Sequence, residues 1–198
     1  MNTQALITFV KNPKLGKVKT RLARTMGDEA ALRVYQELLR HTRELAARVD
    51  ASRYVYYSDE IPGPDEWSDA GFHQKLQPVG DLGHRMETAF REAFEVHERT
   101  VIIGSDCATL STDIVAEALR ELQHKDFVIG PALDGGYYLL GMSTFTPALF
   151  HGVAWSTDQV FPITLKKIQE SQGSYRILPT LSDIDYEEDW NTYGWEID

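Results

Sequence analysis

Short apolar runs, alternating with stretches of helical period, constrain this chain more than any other feature. The runs ALITFV (5–10), RYVYYS (53–58), TVIIGS (100–105), DFVIGP (126–131) and GYYLLGM (136–142) are mostly β-branched or aromatic, as strands are. Between the first two, the spacing predicts a helix of about twenty residues from Asp28. Its apolar positions Ala31, Tyr35, Leu38, Leu45 and Val49 recur at three-, four- and seven-residue steps. A second helix is predicted from about Asp81 to His97, with Leu82, Met86, Ala89, Phe90, Ala93 and Phe94 on one stripe. TDIVAEALRELQ reads as a third. A fourth opens at STDQVF, where Ser156 and Gln159 have capping-box spacing, and DYEEDWNTYGW reads as a short acidic helix near the C-terminus.

This alternation predicts an α/β fold of three layers, α/β/α, around a mixed, mostly parallel sheet. Only ALDG separates DFVIGP from GYYLLGM, too little for a helical crossover, so that pair is expected to be antiparallel. No repeat, low-complexity tract or linker divides the chain, and residues 1–198 read as one domain. The stretch DEIPGPDEWSDAG (59–71) has turn residues without an apolar period and reads as a mobile excursion. Ligands of open α/β sheets sit beyond the carboxyl ends of the strands. The loops after residues 10, 104 and 131 are therefore expected to converge.

Charge singles out one of those loops. The chain carries a formal charge of −10, with 20 basic residues against 30 acidic ones. KNPKLGKVKTRLAR (11–24) nevertheless holds Lys11, Lys14, Lys17, Lys19, Arg21 and Arg24 and no acid. An acidic balance, pI about 5.0, argues against a general nucleic-acid binder. No run is long enough to span a membrane, and nothing resembles a targeting segment. The one cysteine, Cys107, excludes an internal disulfide and fits a reducing compartment, so the cytoplasm is the expected location. The basic loop is not a Walker A motif, because position 11 is lysine and Lys17 precedes Val18. With Gly16 its only glycine, it is not a Rossmann fingerprint either. Its order is still that of a phosphate site: a strand, a turn with Pro13 and Gly16, then Lys19, Thr20 and Arg21. A solvated run of surface lysines is the alternative.

Three further segments carry chemistry. In GSDCATL, Asp106 follows a strand at its carboxyl edge and is a candidate ligand for Mg²⁺ or Mn²⁺; a helix N-cap or Asx turn is the other reading. Cys107 reads as a packing residue. In PALDGGYYLLG, Asp134 with Gly135 and Gly136 makes a hairpin turn, or else the glycines and Tyr137 admit a substrate while Asp134 binds a hydroxyl or acts as general base. In QPVGDLGHRM, Arg85 reaches a phosphate or pairs with a carboxylate. Asp183, Asp185 and Asp189 follow the last strand, YRILP, and either complete a metal site or favour a helix N-terminus. The histidines lack zinc spacing, and no G-x-S-x-G elbow is present.

Taken in order, K-x-P-x-x-G-x-V-K-T-R-L, G-D-L-G-x-R-M, G-S-D-C and D-G-G-Y-Y-L-L-G resemble a known group. It is the bacterial GT-A-fold glycosyltransferase-like family of the nucleotide-diphospho-sugar transferase superfamily. Molybdenum-cofactor guanylyltransferases and 2-phospho-lactate guanylyltransferase are more distant relatives. The resemblance implies a GT-A fold, with Lys11, Gly16, Lys19 and Arg21 on nucleotide phosphates and Asp106 at the metal-binding position. It also implies that the Asp183/Asp185 pair supplies a second metal ligand. The chain departs from the pattern in D-I-D-Y-E-E-D, where relatives read D-I-D-T-P-E-D, and in D-C-A-T-L, where proline often follows cysteine. The implied activity is Mg²⁺- or Mn²⁺-dependent transfer from a nucleotide or nucleotide-sugar donor to a small-molecule acceptor. Glycosyl transfer, nucleotidyl transfer and a non-catalytic nucleotide-binding regulator all remain open at this point.

Overall fold

The computed structural model describes residues 3–197. Strands β1 (Gln4–Val10), β2 (Ser52–Tyr57), β3 (His73–Leu76), β4 (Arg99–Ile103), β5 (Phe127–Pro131), β6 (Tyr137–Met142) and β7 (Tyr175–Ile177) form one sheet in the order β3-β2-β1-β4-β6-β5-β7. β6 runs antiparallel to both of its neighbours, and every other pairing is parallel. The expected mixed sheet is therefore present. Its one reversal follows from the short 132–135 connection.

Helices α1 (Ala23–Met26), α2 (Asp28–Ala47), α3 (Glu66–Asp69), α4 (Leu82–Phe94), α5 (Thr112–Glu121), α6 (Val160–Glu170) and α7 (Glu187–Tyr193) cover the sheet. Strand alternation divides the core. Leu6 and Val10 join Tyr35, Leu39, Val115 and Leu119 of α2 and α5 on one face. Ala5 and Ile7 join Met86, Phe90 and Ile168 of α4 and α6 on the other. The predicted stripe of α2 is buried from Ala31 to Leu45, and Val49 is buried just beyond the helix end. On α4 the stripe begins later than predicted, because Leu82 is 42% exposed in the first turn. Among the described residues, no helix is long and apolar enough to cross a membrane.

Segment 59–71 carries local order: Asp65 caps α3 by accepting from the backbone N–H groups of Trp67 and Ser68, and Trp67 is buried against Phe72. One local expectation is overturned. The Ser156/Gln159 capping box is not formed. Gln159 is the N-cap of α6 without a side-chain bond, and Ser156 has φ 64°. Trp155 packs where a side chain on Gly83 would stand, since a Cβ there would lie 2.2 Å from its Nε1. That contact sets the path of 151–159 at the expense of the local cap.

A third, smaller cluster matters most for the site. Leu22, Ala31, Val34, Leu38, Ala108, Ile184 and Trp190 are buried together. Leu22 follows Arg21, Ala108 closely follows Asp106, and Ile184 lies between Asp183 and Asp185. Apolar neighbours thus anchor the three charged segments from beneath. The Ile184 N–H donates to the Asp106 carbonyl at 2.9 Å, tying the late segment to the loop after β4.

Candidate functional site

Parallel pairing of β1 with β4 brings their carboxyl ends together, and the side chains finish the approach. Beyond Val10 the chain turns at Pro13, and the Lys17 N–H closes onto the Lys14 carbonyl at 3.0 Å. Val18 is buried and anchors the loop against the core. Lys19 adopts φ 47°, a left-handed conformation costing an unbranched L-residue about 1–2 kcal/mol. Backbone strain of this kind clusters where a side chain must be aimed. The Lys19 side chain is only 5% exposed, and its Nζ lies 3.0 Å from Asp106 Oδ1 and 4.0 Å from Asp185 Oδ1. Arg21 Nη1 donates to Asp185 Oδ2 at 2.6 Å, and its guanidinium lies 6.0 Å from the Tyr186 ring centroid. These groups surround a cavity of about 310 Å³, bordered by Lys11, Lys19, Thr20, Arg21, Asp106 and Asp185 among others.

A residue assigned to the helix stripe proves to be part of the floor. Tyr35 borders the cavity, and its hydroxyl accepts from the Lys11 N–H at 2.8 Å, donates to the Lys11 carbonyl at 3.1 Å and lies 3.4 Å from Ser105 Oγ. One donor and two lone pairs are thereby satisfied, and the basic loop is pinned to the loop after β4. Burial, then the nearby Asp106 charge, push the Tyr35 phenol far above its ordinary pKa. It remains a neutral hydrogen-bonding group.

Asp183 sits among like charges. Burial first, then Asp106 and Asp134, push its carboxyl up to about 7, with Asp185 adding a little and Lys19 opposing. The Asp134 charge therefore reaches this edge. Asp134 also forms its turn, accepting the Gly136 N–H at 2.8 Å. Both readings of that residue are compatible with where it stands.

Other expected residues are placed elsewhere. The space beside Gly135 is taken by the chain itself: a Cβ would lie 2.3 Å from the Asp158 carbonyl oxygen, and the Gly135 carbonyl accepts the Phe161 N–H. The lack of a side chain at Gly135 is what lets Asp158 pack there. Tyr137 turns into the helix-covered face, with its hydroxyl 3.8 Å from Met86 Sδ. It does not line the site, because the ring is needed in the core. Gly16, at φ 69°, closes the turn beside the Asp28 carboxylate and is not on the cavity wall. Arg85 borders a second cavity on the other side of the basic loop, together with Lys11, Asn12 and Lys17. Cys107 is buried and its thiol is pushed up to about 11, consistent with packing.

The proposed metal triad is not assembled as such. Among the described residues, no three His, Cys, Asp or Glu side chains gather as a ready metal cage. Asp185 is held by Arg21 at 2.6 Å and approached by Lys19 at 4.0 Å, while Asp106 is paired with Lys19 alone at 3.0 Å. Asp106 and Asp183 remain. Their mutual repulsion is what a hard divalent cation relieves, and Mg²⁺ takes one or two carboxylates and shares its other positions with substrate phosphates. This donor pair fits such an ion.

Two residues that the sequence reading passed over tie the site together. Asn12 Oδ1 accepts the Asp59 N–H at 3.0 Å and its Nδ2 donates to the Glu60 carbonyl at 2.9 Å, fastening the loop after β2 to the basic loop. Gln77 Nε2 donates to the carbonyls of Val10 (3.1 Å) and Tyr56 (2.9 Å). Asn followed by Pro was a usable turn signal for Asn12. Gln77 had none.

Residues 41–157 match the family model described as "Uncharacterized protein conserved in bacteria (DUF2064)". The chain is similar to the crystal structure of a "putative nucleotide-diphospho-sugar transferase" from Desulfovibrio desulfuricans G20, with 34% identity and TM-score 0.88 over 94% of this chain and 84% of that one. It is similar in fold to CMP:2-keto-3-deoxy-manno-octonic acid synthetase complexed with CTP, with 8% identity and TM-score 0.60 over 96% of each chain. A manganese complex of Rv0371C from Mycobacterium tuberculosis H37Rv shares the fold at 11% identity and TM-score 0.57 over 100% of both chains. No curated protein matches the sequence.

Proposed function

The chain belongs to the DUF2064 family, and on that premise we propose that it is a transferase working on a nucleotide-activated donor. One observation carries the reading: Lys19, Arg21 and Asp106 open onto the same cavity, with Lys19 Nζ 3.0 Å from the Asp106 carboxylate. A cationic pair held against carboxylates that a divalent ion could take over suits a diphosphate that arrives with that ion.

Asp106 and Asp183 would hold Mg²⁺ or Mn²⁺, which supplies positive charge for a diphosphate leaving group. Lys19 and Arg21 donate charge-assisted hydrogen bonds to the same oxygens, exchanging their present carboxylate partners for phosphate. Tyr35 keeps the backbone at Lys11 fixed while that exchange occurs. Asp134, exposed at the hairpin tip, is the candidate to take a proton from an acceptor hydroxyl.

The finer reading is glycosyl transfer from a nucleoside-diphosphate sugar, supported by the description of the 34%-identical relative. Nucleotidyl transfer from a nucleoside triphosphate to a small phosphorylated or acidic acceptor is the second reading, favoured by the cationic cavity around Arg85. Incubation with a panel of nucleotide sugars and nucleoside triphosphates, with Mn²⁺ and candidate acceptors, separates them. Release of nucleoside diphosphate supports glycosyl transfer and release of pyrophosphate supports nucleotidyl transfer. Absence of both across the panel contradicts the transferase reading.

A further inference from the structure

The motifs G-D-L-G (80–83) and D-G-G (134–136) lie far apart in the chain, yet one segment packs on a glycine of each. Gly83 is in the first turn of α4, where an added Cβ would stand 2.2, 2.4 and 2.6 Å from Nε1, Cε2 and Cζ2 of Trp155. Gly135 is in the turn between β5 and β6, where a Cβ would stand 2.3 Å from the Asp158 carbonyl oxygen and 2.5 Å from its Cα. Trp155 and Asp158 belong to the strap 151–159, which leads into α6. Both glycines are therefore open for the same strap.

The strap is stiff between these two points. Thr157 Oγ1 donates to the Ala154 carbonyl at 2.7 Å and accepts the Gln159 N–H at 3.3 Å, so one side chain staples the stretch on either side of it. At one end the indole stacks on Phe150, with ring centroids 6.5 Å apart and planes at 25°. At the other, the Phe161 N–H donates to the Gly135 carbonyl at 2.8 Å. Ser156, exposed and at φ 64°, takes a strained left-handed turn directly after Trp155. A connection that only joined two elements would have no need of that turn. Across the hairpin, the Leu133 N–H donates to the Leu181 carbonyl at 3.0 Å, so the backbone carrying Asp134 is braced from both sides.

We propose that the strap is a latch, with Trp155 seated on Gly83, and that it positions Asp134 for the transfer step. The inference rests on reading Asp134 as the group that takes a proton from the acceptor. A general base works only within hydrogen-bond reach of its proton, and a misplacement of about 1 Å can cost about 10²-fold in rate. Trp155 acts through Asp158 and Gly135 and is a positioning residue. None of residues 151–159 borders the Asp106 cavity. Loss of the latch therefore lowers turnover and leaves donor binding as it was.

Hydrogen exchange and steady-state kinetics on the full chain test the latch. In Trp155→Ala, the amides of 132–136 exchange about tenfold faster or more, while those of β1 and α2 do not change. Gly83→Ala has the same effect, because its methyl takes the place of the indole. In the double variant the methyl meets no ring, so Gly83→Ala adds nothing to Trp155→Ala. In both single variants kcat with the best donor of the panel falls about tenfold to hundredfold, with the donor KM unchanged. Trp155→Phe keeps a ring on Phe150 and recovers part of both effects, and melting curves check folding. Unchanged hairpin exchange in Trp155→Ala overturns the proposal, as does a Gly83→Ala effect that is undiminished without Trp155. Faster exchange with an unchanged kcat leaves Trp155 a packing role only and overturns it too. A failed reading of Asp134 looks different: Asp134→Asn turns over like the parent, while hairpin exchange still responds to Trp155.

Discussion

The two cavities beside the basic loop share Lys11, Lys17 and Val18 yet handle charge in opposite ways. In the first, Lys19 and Arg21 are matched by Asp106 and Asp185, and Asp183 adds a carboxyl that burial, and then its acidic neighbours, push up to about 7. In the second, Lys14 is neutralised, while Arg85, like the shared Lys11 and Lys17, has no carboxylate within 4.0 Å among the described residues. The difference separates a region where ion pairs exchange from one that keeps positive charge open. A divalent cation and a phosphate can enter the first together with little change in net charge. The second gains from an anion alone.

The comparison breaks most readily at Lys19. Lys19→Ala removes the donor that links the loop to the carboxylates, and turnover with the best donor should fall about 10²–10³-fold, the usual loss for one preorganised electrostatic group. A steady-state assay that finds less than a tenfold loss would leave the first cavity without its main cation.

Asp183 sharpens the contrast through pH. Its carboxyl is ordinarily ionised above 3.8 but is raised to about 7 in the fold, so between these values the folded chain keeps a proton that the unfolded chain has lost. Stability should therefore decline as pH rises from about 4 to about 7 and level off above. Asp183→Asn removes that slope, and the gain at pH 8 should be on the order of 3 kcal/mol in metal-free urea melts. Parallel pH profiles for variant and parent would mean that burial and the neighbouring carboxylates do not raise Asp183. Added Mn²⁺ should stabilise the parent more than the variant.

Smaller effects test the wall between the cavities. Tyr35→Phe removes the hydroxyl that holds both backbone groups of Lys11, at a cost of about 1–2 kcal/mol in stability. It should weaken ligands of both cavities, because the wall is common to them. Lys14→Ala should change stability and binding least, since its ion pairs are exposed and screened by water. A large loss of nucleoside diphosphate binding in that variant would contradict this ranking.

Much of this could be read from the chain, and the parts that could not share a cause. The α2 stripe and the strands were legible because burial imposes a period. The meeting of Lys19 with Asp106 was legible because parallel strands bring their carboxyl ends to one edge. Residues whose role depends on long-range packing were not. Tyr137 and Gly135 stand in a motif that looks like a ligand loop, but the helix-covered core takes the ring and Asp158 takes the space. Tyr35 lies on a helix stripe like any core aromatic, and only the arrival of Lys11 and Ser105 gives its hydroxyl work. Asp185 read as a metal ligand because local sequence does not reveal that Arg21, 164 residues away, already holds it.

The account stands on the first cavity, and one titration reaches it directly. Nucleoside diphosphates are titrated calorimetrically into the parent protein and into Asp106→Asn, with and without Mn²⁺, with a melting curve as the folding control. The expected result is Mn²⁺-dependent binding in the parent that is lost in the folded variant. Equal binding by both proteins, with no response to Mn²⁺, would contradict it.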